Sequence, residues 1–299
     1  MIQTASSSSA SLIFDRMALR RQRQRAARRQ PVCDFLHREV AERLDDRLRD
    51  VLRDFPLALE LGCHNGALSE MLAANPRIGT VFGCDLSPAF AAAHGHLAVD
   101  EEFLPFAENS IDLIVSSMAL HWVNDTPGTL AQIARCLKPD GLFLAALIGG
   151  QSLDALRSCF MEAELDIRGG AGAHVSPLID IRDGGALLQR AGFALPVADL
   201  ETVTVSYENA FSLMRDLRHM GEGNALAARQ KHFTRRDVLM KAATLYQQRF
   251  ADEEGRIGAR FDILFLIGWK PHESQPKPLA PGSGKISLAR AVGGMDGTD

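Results

Sequence analysis

Apolar and polar positions change period along this chain, and each period predicts a different element. Val32, Leu36, Val40, Leu44, Leu48 and Leu52 recur at every fourth position, the spacing of one apolar stripe on a helix, which predicts a cover for the sheet edge. From Phe55 the pattern becomes a short continuous apolar run that ends in a glycine-containing turn. Leu68 to Ala74 then regains helical composition, so strand, turn and helix follow in order. Further strands are predicted at Thr80 to Cys84, Ile111 to Ser116 and Leu142 to Ile148, the last after the turn Lys138-Pro139-Asp140-Gly141. Helices are predicted at Pro127 to Leu137, Gln151 to Arg168 and Ile181 to Ala191, the third closed by Gly192. Alternating strands and helices imply an α/β fold with a mostly parallel central sheet and helices on both faces.

The carboxyl-terminal half is less regular. Val203 to Tyr207 and Phe261 to Trp269 read as two late strands around a helical insertion, Ala210 to Phe250, that is a candidate substrate cover. Four prolines and several glycines between Trp269 and residue 285 predict an extended tail over Pro271 to Asp299. The domain is therefore expected to span residues 31–270, preceded by a basic segment over residues 1–30.

Composition narrows the function classes. The chain has 299 residues, 46% hydrophobic and 23% charged, enough to bury a core. A net charge of -4 argues against a nucleic-acid partner. The apolar runs fall far short of the roughly 18 residues a membrane span needs, so no span is expected. Cys33, Cys63, Cys84, Cys136 and Cys159 form no C-x-x-C pair, which points away from zinc ribbons and disulfide frameworks and toward a reducing compartment. Met1 to Arg29 holds seven arginines against one aspartate. That composition reads either as a solvated helix or substrate lid, with Phe14, Met17 and Leu19 as its few anchors, or as a cleaved targeting signal.

The candidate chemistry gathers at the first strand and turn, Ala58-Leu59-Glu60-Leu61-Gly62-Cys63-His64-Asn65-Gly66. Glycines there let backbone approach a ligand, and the helix that follows offers free amides at its positive end. Glu60 is poorly suited to a pyrophosphate and well suited to an ammonium, which favours S-adenosylmethionine over NAD. Asp85, nineteen residues after Gly66, ends the second strand where a carboxylate accepts ribose hydroxyls. His64 either crowds the turn or points to solvent. His121, beside Trp122, and His174, in a glycine-rich loop, are the candidate catalytic side chains, with a packed structural histidine as the alternative for each. His37-Arg38-Glu39 has the local spacing of metal ligands without a third partner, so no metal site is expected.

These residues resemble the class I methyltransferases, whose Rossmann-like fold opens with a Leu-Asp-Leu-Gly-Cys-Gly-x-Gly motif. The likeness continues through Asp100-Glu101-Glu102-Phe103-Leu104-Pro105-Phe106 and Ile111-Asp112-Leu113-Ile114-Val115-Ser116. It implies S-adenosylmethionine as cofactor, Asp100 facing the adenine, and Ser116 to Met118 beside the methionine part. The cofactor set it implies is Glu60, Gly62, Cys63, Gly66, Asp85, Leu86, Asp100, Glu101 and Ser116. His64 departs from the pattern, standing where the motif has its middle glycine.

A closer likeness covers nearly the whole chain. Phe14-Asp15-Arg16, Leu120-His121-Trp122-Val123-Asn124-Asp125, His174-Val175-Ser176-Pro177, Met220-Gly221-Glu222-Gly223-Asn224 and Ile267-Gly268-Trp269-Lys270-Pro271-His272 are similar to the respiratory complex I assembly factor 5 family. That resemblance implies a complex I subunit as protein substrate, modified by methylation or by arginine hydroxylation. It places the basic start inside the domain and implies a bacterial cytoplasmic protein, or a mitochondrial matrix one if the source is eukaryotic. Two alternatives stand beside it: carboxyl O-methylation of a small acid or malonyl-carrier protein, as in the similar biotin-synthesis methyltransferase, and a non-catalytic assembly chaperone.

Overall fold

The computed structural model describes residues 12–29 and 33–276. Its helices and strands alternate as α1 (Arg16–Ala26), α2 (Phe35–Arg49), β1 (Phe55–Leu61), α3 (Ala67–Ala74), β2 (Ile78–Asp85), α4 (Pro88–Ala93), β3 (Leu97–Ala98), β4 (Ile111–Ser117), a 3-10 turn (Leu120–Trp122), α5 (Thr126–Cys136) and β5 (Leu137–Gly149). There follow α6 (Asp154–Arg168), α7 (Ile181–Arg190), β6 (Ala194–Tyr207), α8 (Ala210–Met220), α9 (Arg236–Phe250) and β7 (Ile257–Trp269). The strands form one seven-stranded sheet ordered β3-β2-β1-β4-β5-β7-β6. The first five strands are parallel, and β7 runs antiparallel between β5 and β6.

The apolar runs are continuous because both faces of the sheet are covered. Along β5, Leu142, Leu144, Ala146 and Ile148 face one core while Phe143, Ala145 and Leu147 face the other. The first core takes Leu36, Val40, Leu44 and Leu48 of α2, and the second takes Leu130 and Ile133 of α5 with Leu188 of α7. Helix α2 therefore lies on a face of the sheet, against β4 and β5, and not along its edge as its stripe alone predicted. Its Arg47 reaches past that face: the guanidinium sits 3.6 Å from the Phe265 ring of β7 and donates to Asp199 of the edge strand β6 at 2.8 Å. Leu52 is exposed and Val32 lies outside the described residues, so the stripe is shorter than its periodicity.

The stretch expected as one helical insertion is two helices joined by irregular chain. Their apolar faces, Leu213 and Met220 of α8 and Val238 and Tyr246 of α9, belong to the first core, with α9 packed on α6. Of the tail, only residues up to 276 fall within the described part. None of the described helices is long and apolar enough to cross a membrane.

Candidate functional site

The parallel strands deliver the turn after β1 and the end of β2 to one end of the sheet. Gly62 and Cys63 both donate their amides to the Cys84 carbonyl, at 2.8 and 2.9 Å, which locks the turn to β2. Gly62 has φ +83°, and a Cβ there would stand 2.2 Å from the Ala119 side chain, so the close approach of β1 to the chain after β4 requires glycine. Asp85 is fully buried. Its two oxygens accept the amides of His64 at 3.1 Å and Ser87 at 2.6 Å, which fixes the carboxylate in place.

The candidate acidic residues are not bare. Helix α1 lies across them, with Arg16, Leu19, Arg23 and Ala26 on one face. Arg23 Nη1 donates to Glu101 at 3.0 Å and lies 3.7 Å from Asp85, and Arg16 Nη2 pairs with Asp100 at 2.5 Å and with Glu101. Arg23 is 1% exposed, and Leu19, Trp122 and Leu86 close a small apolar cluster beside it. The solvated helix anticipated from composition is thus a half-buried one. The surrounding carboxylates hold the Arg23 guanidinium firmly protonated against the cost of its burial.

One expectation is overturned and two neighbouring side chains are placed. His64 does not point to solvent: it has φ +46°, stacks on His37 at 3.7 Å, packs tilted against Phe90 at 4.1 Å, and contacts the Met220 carbonyl at 2.8 Å. Burial lowers its pKa to about 3, so it is neutral. Glu60 is buried and accepts a hydrogen bond from the Ser69 hydroxyl, and burial raises its pKa to about 8. Ser116 spends its hydroxyl on the Leu61 carbonyl at 2.7 Å, tying β4 to β1.

Beside this sealed region opens a cavity of about 470 Å³, and His121 and His174 both line it. Its walls include Ile148, Leu156, Phe160, Met214 and Leu217, with Gln22 and Arg25 from α1. His174 Nε2 stands 3.1 Å from the buried Glu164 carboxylate, and the ring stacks on Phe160 at 4.5 Å. His121 Nε2 lies 3.1 Å from Glu222 Oε2, which also accepts from Trp122 Nε1 at 2.6 Å. Arg16, Arg23 and Glu222 are the residues the sequence did not single out, and His37, weighed there only as a metal ligand, stacks on His64. The seven-residue spacing of Arg16 and Arg23 across Leu19, two helical turns on one face, was the available signal for the first pair. Among the described residues no three His, Cys, Asp or Glu side chains gather as a metal site.

A family model described as a methyltransferase domain matches residues 59–145, from β1 through β5. The fold is also that of a putative methyltransferase from Bacillus halodurans, with a TM-score of 0.53 at 16% identity over 78% of this chain and 100% of that one. At the sequence level the chain is 32% identical to a malonyl-[acyl-carrier protein] O-methyltransferase of Methylovorus, over 90% of this chain and 94% of that protein. It is 41% identical to the mitochondrial arginine-hydroxylase NDUFAF5 of Danio rerio, over 93% of this chain and 88% of the relative. The Homo sapiens NDUFAF5 is 42% identical, over 92% and 82%. The chain belongs to the methyltransferase-fold family of arginine-hydroxylase NDUFAF5.

Proposed function

We propose that this chain is an S-adenosylmethionine-binding enzyme that modifies an arginine side chain of a respiratory complex I subunit. The methyltransferase domain match supports the cofactor, and the name carried by the 41–42% identical relatives supports the target side chain. The residues present fit the cofactor. Gly62 and Gly66 hold the turn tight against Ala119 and His94, and Asp85 stands at the end of β2 as a holder for ribose hydroxyls. Around them Ser87 Oγ, Ser117 Oγ, His64 Nδ1 and both His37 ring nitrogens are buried without a partner among the described residues. Such atoms are costly beside an apolar filling and are answered by a ligand rich in hydroxyl, amine and carboxylate groups. When bound, the cofactor supplies an electrophilic methyl group. Arg23 draws on the same carboxylate as the ribose would, so binding exchanges one partner of Asp85 for another.

The observation that carries the reading is the neighbourhood: a cavity lined by His121, His174 and Glu222 opens beside the turn and carboxylates of the matched domain. The test is calorimetric titration with S-adenosylmethionine, in which Asp85→Asn weakens binding by about 1–3 kcal/mol through lost charge-assisted hydrogen bonds. Equal affinity for both proteins removes the ribose role. Mass spectrometry of the subunit after incubation with protein, cofactor, oxygen and a two-electron reductant then separates the chemistries. An added oxygen supports hydroxylation, an added methyl supports transfer, and no change supports a chaperone.

The second reading, carboxyl O-methylation, is favoured by Arg25, Arg29 and Arg218, which also line the cavity and suit a carboxylate. Methylation of a malonyl-carrier substrate in the same assay would establish it.

A further inference from the structure

Glu222, which lines the cavity, has one carboxylate oxygen committed and the other buried without a partner among the described residues. Gly221 ends α8 in the left-handed conformation with φ +86°, and the Glu222 amide turns back to the Leu217 carbonyl at 2.8 Å. This closing turn sets the Glu222 backbone and sends its side chain, 3% exposed, under the 3-10 turn after β4. Oε2 accepts from Trp122 and lies against His121, while Oε1 has no partner among the described residues. A buried carboxylate oxygen without a donor forfeits the water it gave up on folding, so the arrangement is complete only when something donates to it.

We infer that Glu222 is the anchor for the guanidinium of the client arginine, with the cavity's apolar wall receiving the alkyl stem. The inference rests on the arginine-modifying function proposed above and names the residue that selects that side chain. Glu222 is ionised: burial alone would raise its pKa, but the hydrogen bond from His121 and the nearby charge of Arg23 hold it at about 2. A guanidinium brings five planar donors and sheds water more readily than an ammonium, so it suits one free oxygen in a half-dry pocket. Leu156, Phe160, Met214 and Leu217 supply the wall along which three methylenes can lie. Arg25, Arg29 and Arg218 do not cancel this preference, because all three are exposed, where water and salt screen them. At that rim they fit acidic residues flanking the target arginine.

The test titrates the full chain with N-acetylarginine amide and with the corresponding citrulline amide, which keeps the shape and loses the charge. The wild-type protein binds the arginine compound about tenfold to a hundredfold more tightly than the citrulline one, and Glu222→Gln abolishes that preference. Wild-type protein that fails to discriminate, or a folded Glu222→Gln variant that discriminates as before, overturns the anchor. The first comparison needs no variant, so a Glu222→Gln protein that does not fold leaves the test intact. S-adenosylmethionine uptake is read on the same samples. Lost arginine preference with intact uptake removes only the anchor, whereas absent uptake with preserved preference removes the enzyme reading and leaves an arginine-binding pocket.

Discussion

The end of β2 and the cavity beside the 3-10 turn are both lined by charged side chains, and they treat that charge in opposite ways. At the end of β2, Asp85, Asp100 and Glu101 are met by Arg16 and Arg23, and the packing of Leu19 and Leu86 beside them keeps Asp85, Glu101 and Arg23 from water. In the cavity, Glu222 keeps an oxygen in reserve and His121 leaves Nδ1 without a partner among the described residues. A ligand entering the first region must replace a partner that is already there. One entering the second adds a partner where none stands. The sealed region is therefore where stability is concentrated, and the cavity is where binding capacity is held back.

The largest effect is expected where a sealed charge is removed. Arg23→Met leaves Asp85 and Glu101 buried with less compensation, and loss of one partner from a buried ion pair costs about 3–5 kcal/mol. Urea unfolding at neutral pH reads this loss. Adding Glu101→Gln to the variant restores part of it, because the charge left uncompensated is then smaller. If Arg23→Met unfolds within about 1 kcal/mol of wild type, α1 is not a structural part of the sealed region and the contrast with the cavity fails.

The next effect is a pH dependence beneath the same region. Glu60 holds its proton in the folded protein to about pH 8, whereas a glutamate in the unfolded chain loses it near 4.5. Between those values the unfolded chain binds fewer protons at this site than the folded one, so its contribution to stability is full below 4.5 and is lost as pH rises through about 8. The slope is about 1.4 kcal/mol per pH unit, or roughly 3 kcal/mol lost by pH 7. Glu60→Gln cannot titrate, so its stability relative to wild type should climb from acid to neutral pH. Parallel stability curves for the two proteins would show that Glu60 is ionised in place and that the region is wetter than its packing indicates.

What the sequence made legible were the elements whose pattern is local. The runs at β1, β4 and β5, the glycine turn and the Gly192 stop identify a parallel α/β sheet because each is set by neighbours a few positions away. Strand β6 was recognised only from Val203, although it begins at Ala194. Its first half contains Pro196 and Asp199 on an edge, and pairing with β7 imposes the extended form. Helix α1 looked solvated because arginines surround it, and the meaning of Arg23 depends on carboxylates at positions 85 and 101 that only the fold brings near. Glu222 carries no local signal in the sequence, since its partners Trp122 and His121 lie about a hundred positions earlier in the chain. His64 presents the same difficulty at short range, because its left-handed backbone turns the ring inward where composition alone favours solvent.

The smallest effect should come from the open side, at His174. Its Nε2 faces Glu164, but that carboxylate also accepts the Gly172 amide, Arg168 Nη1 at 3.2 Å and Gln230 Nε2 at 3.5 Å, so removing the imidazole leaves it served by other donors. His174→Ala also gives up the stack on Phe160, on a cavity wall that solvent already reaches. The expected cost is about 0.5–1 kcal/mol, a fall in melting temperature of about 1–3 °C. The measurement compares thermal unfolding of this variant with that of Arg23→Met under the same conditions. A loss at His174 as large as the one at Arg23 would mean that the cavity wall also carries the fold, and that its unpaired groups are held by strain and not kept free for a ligand.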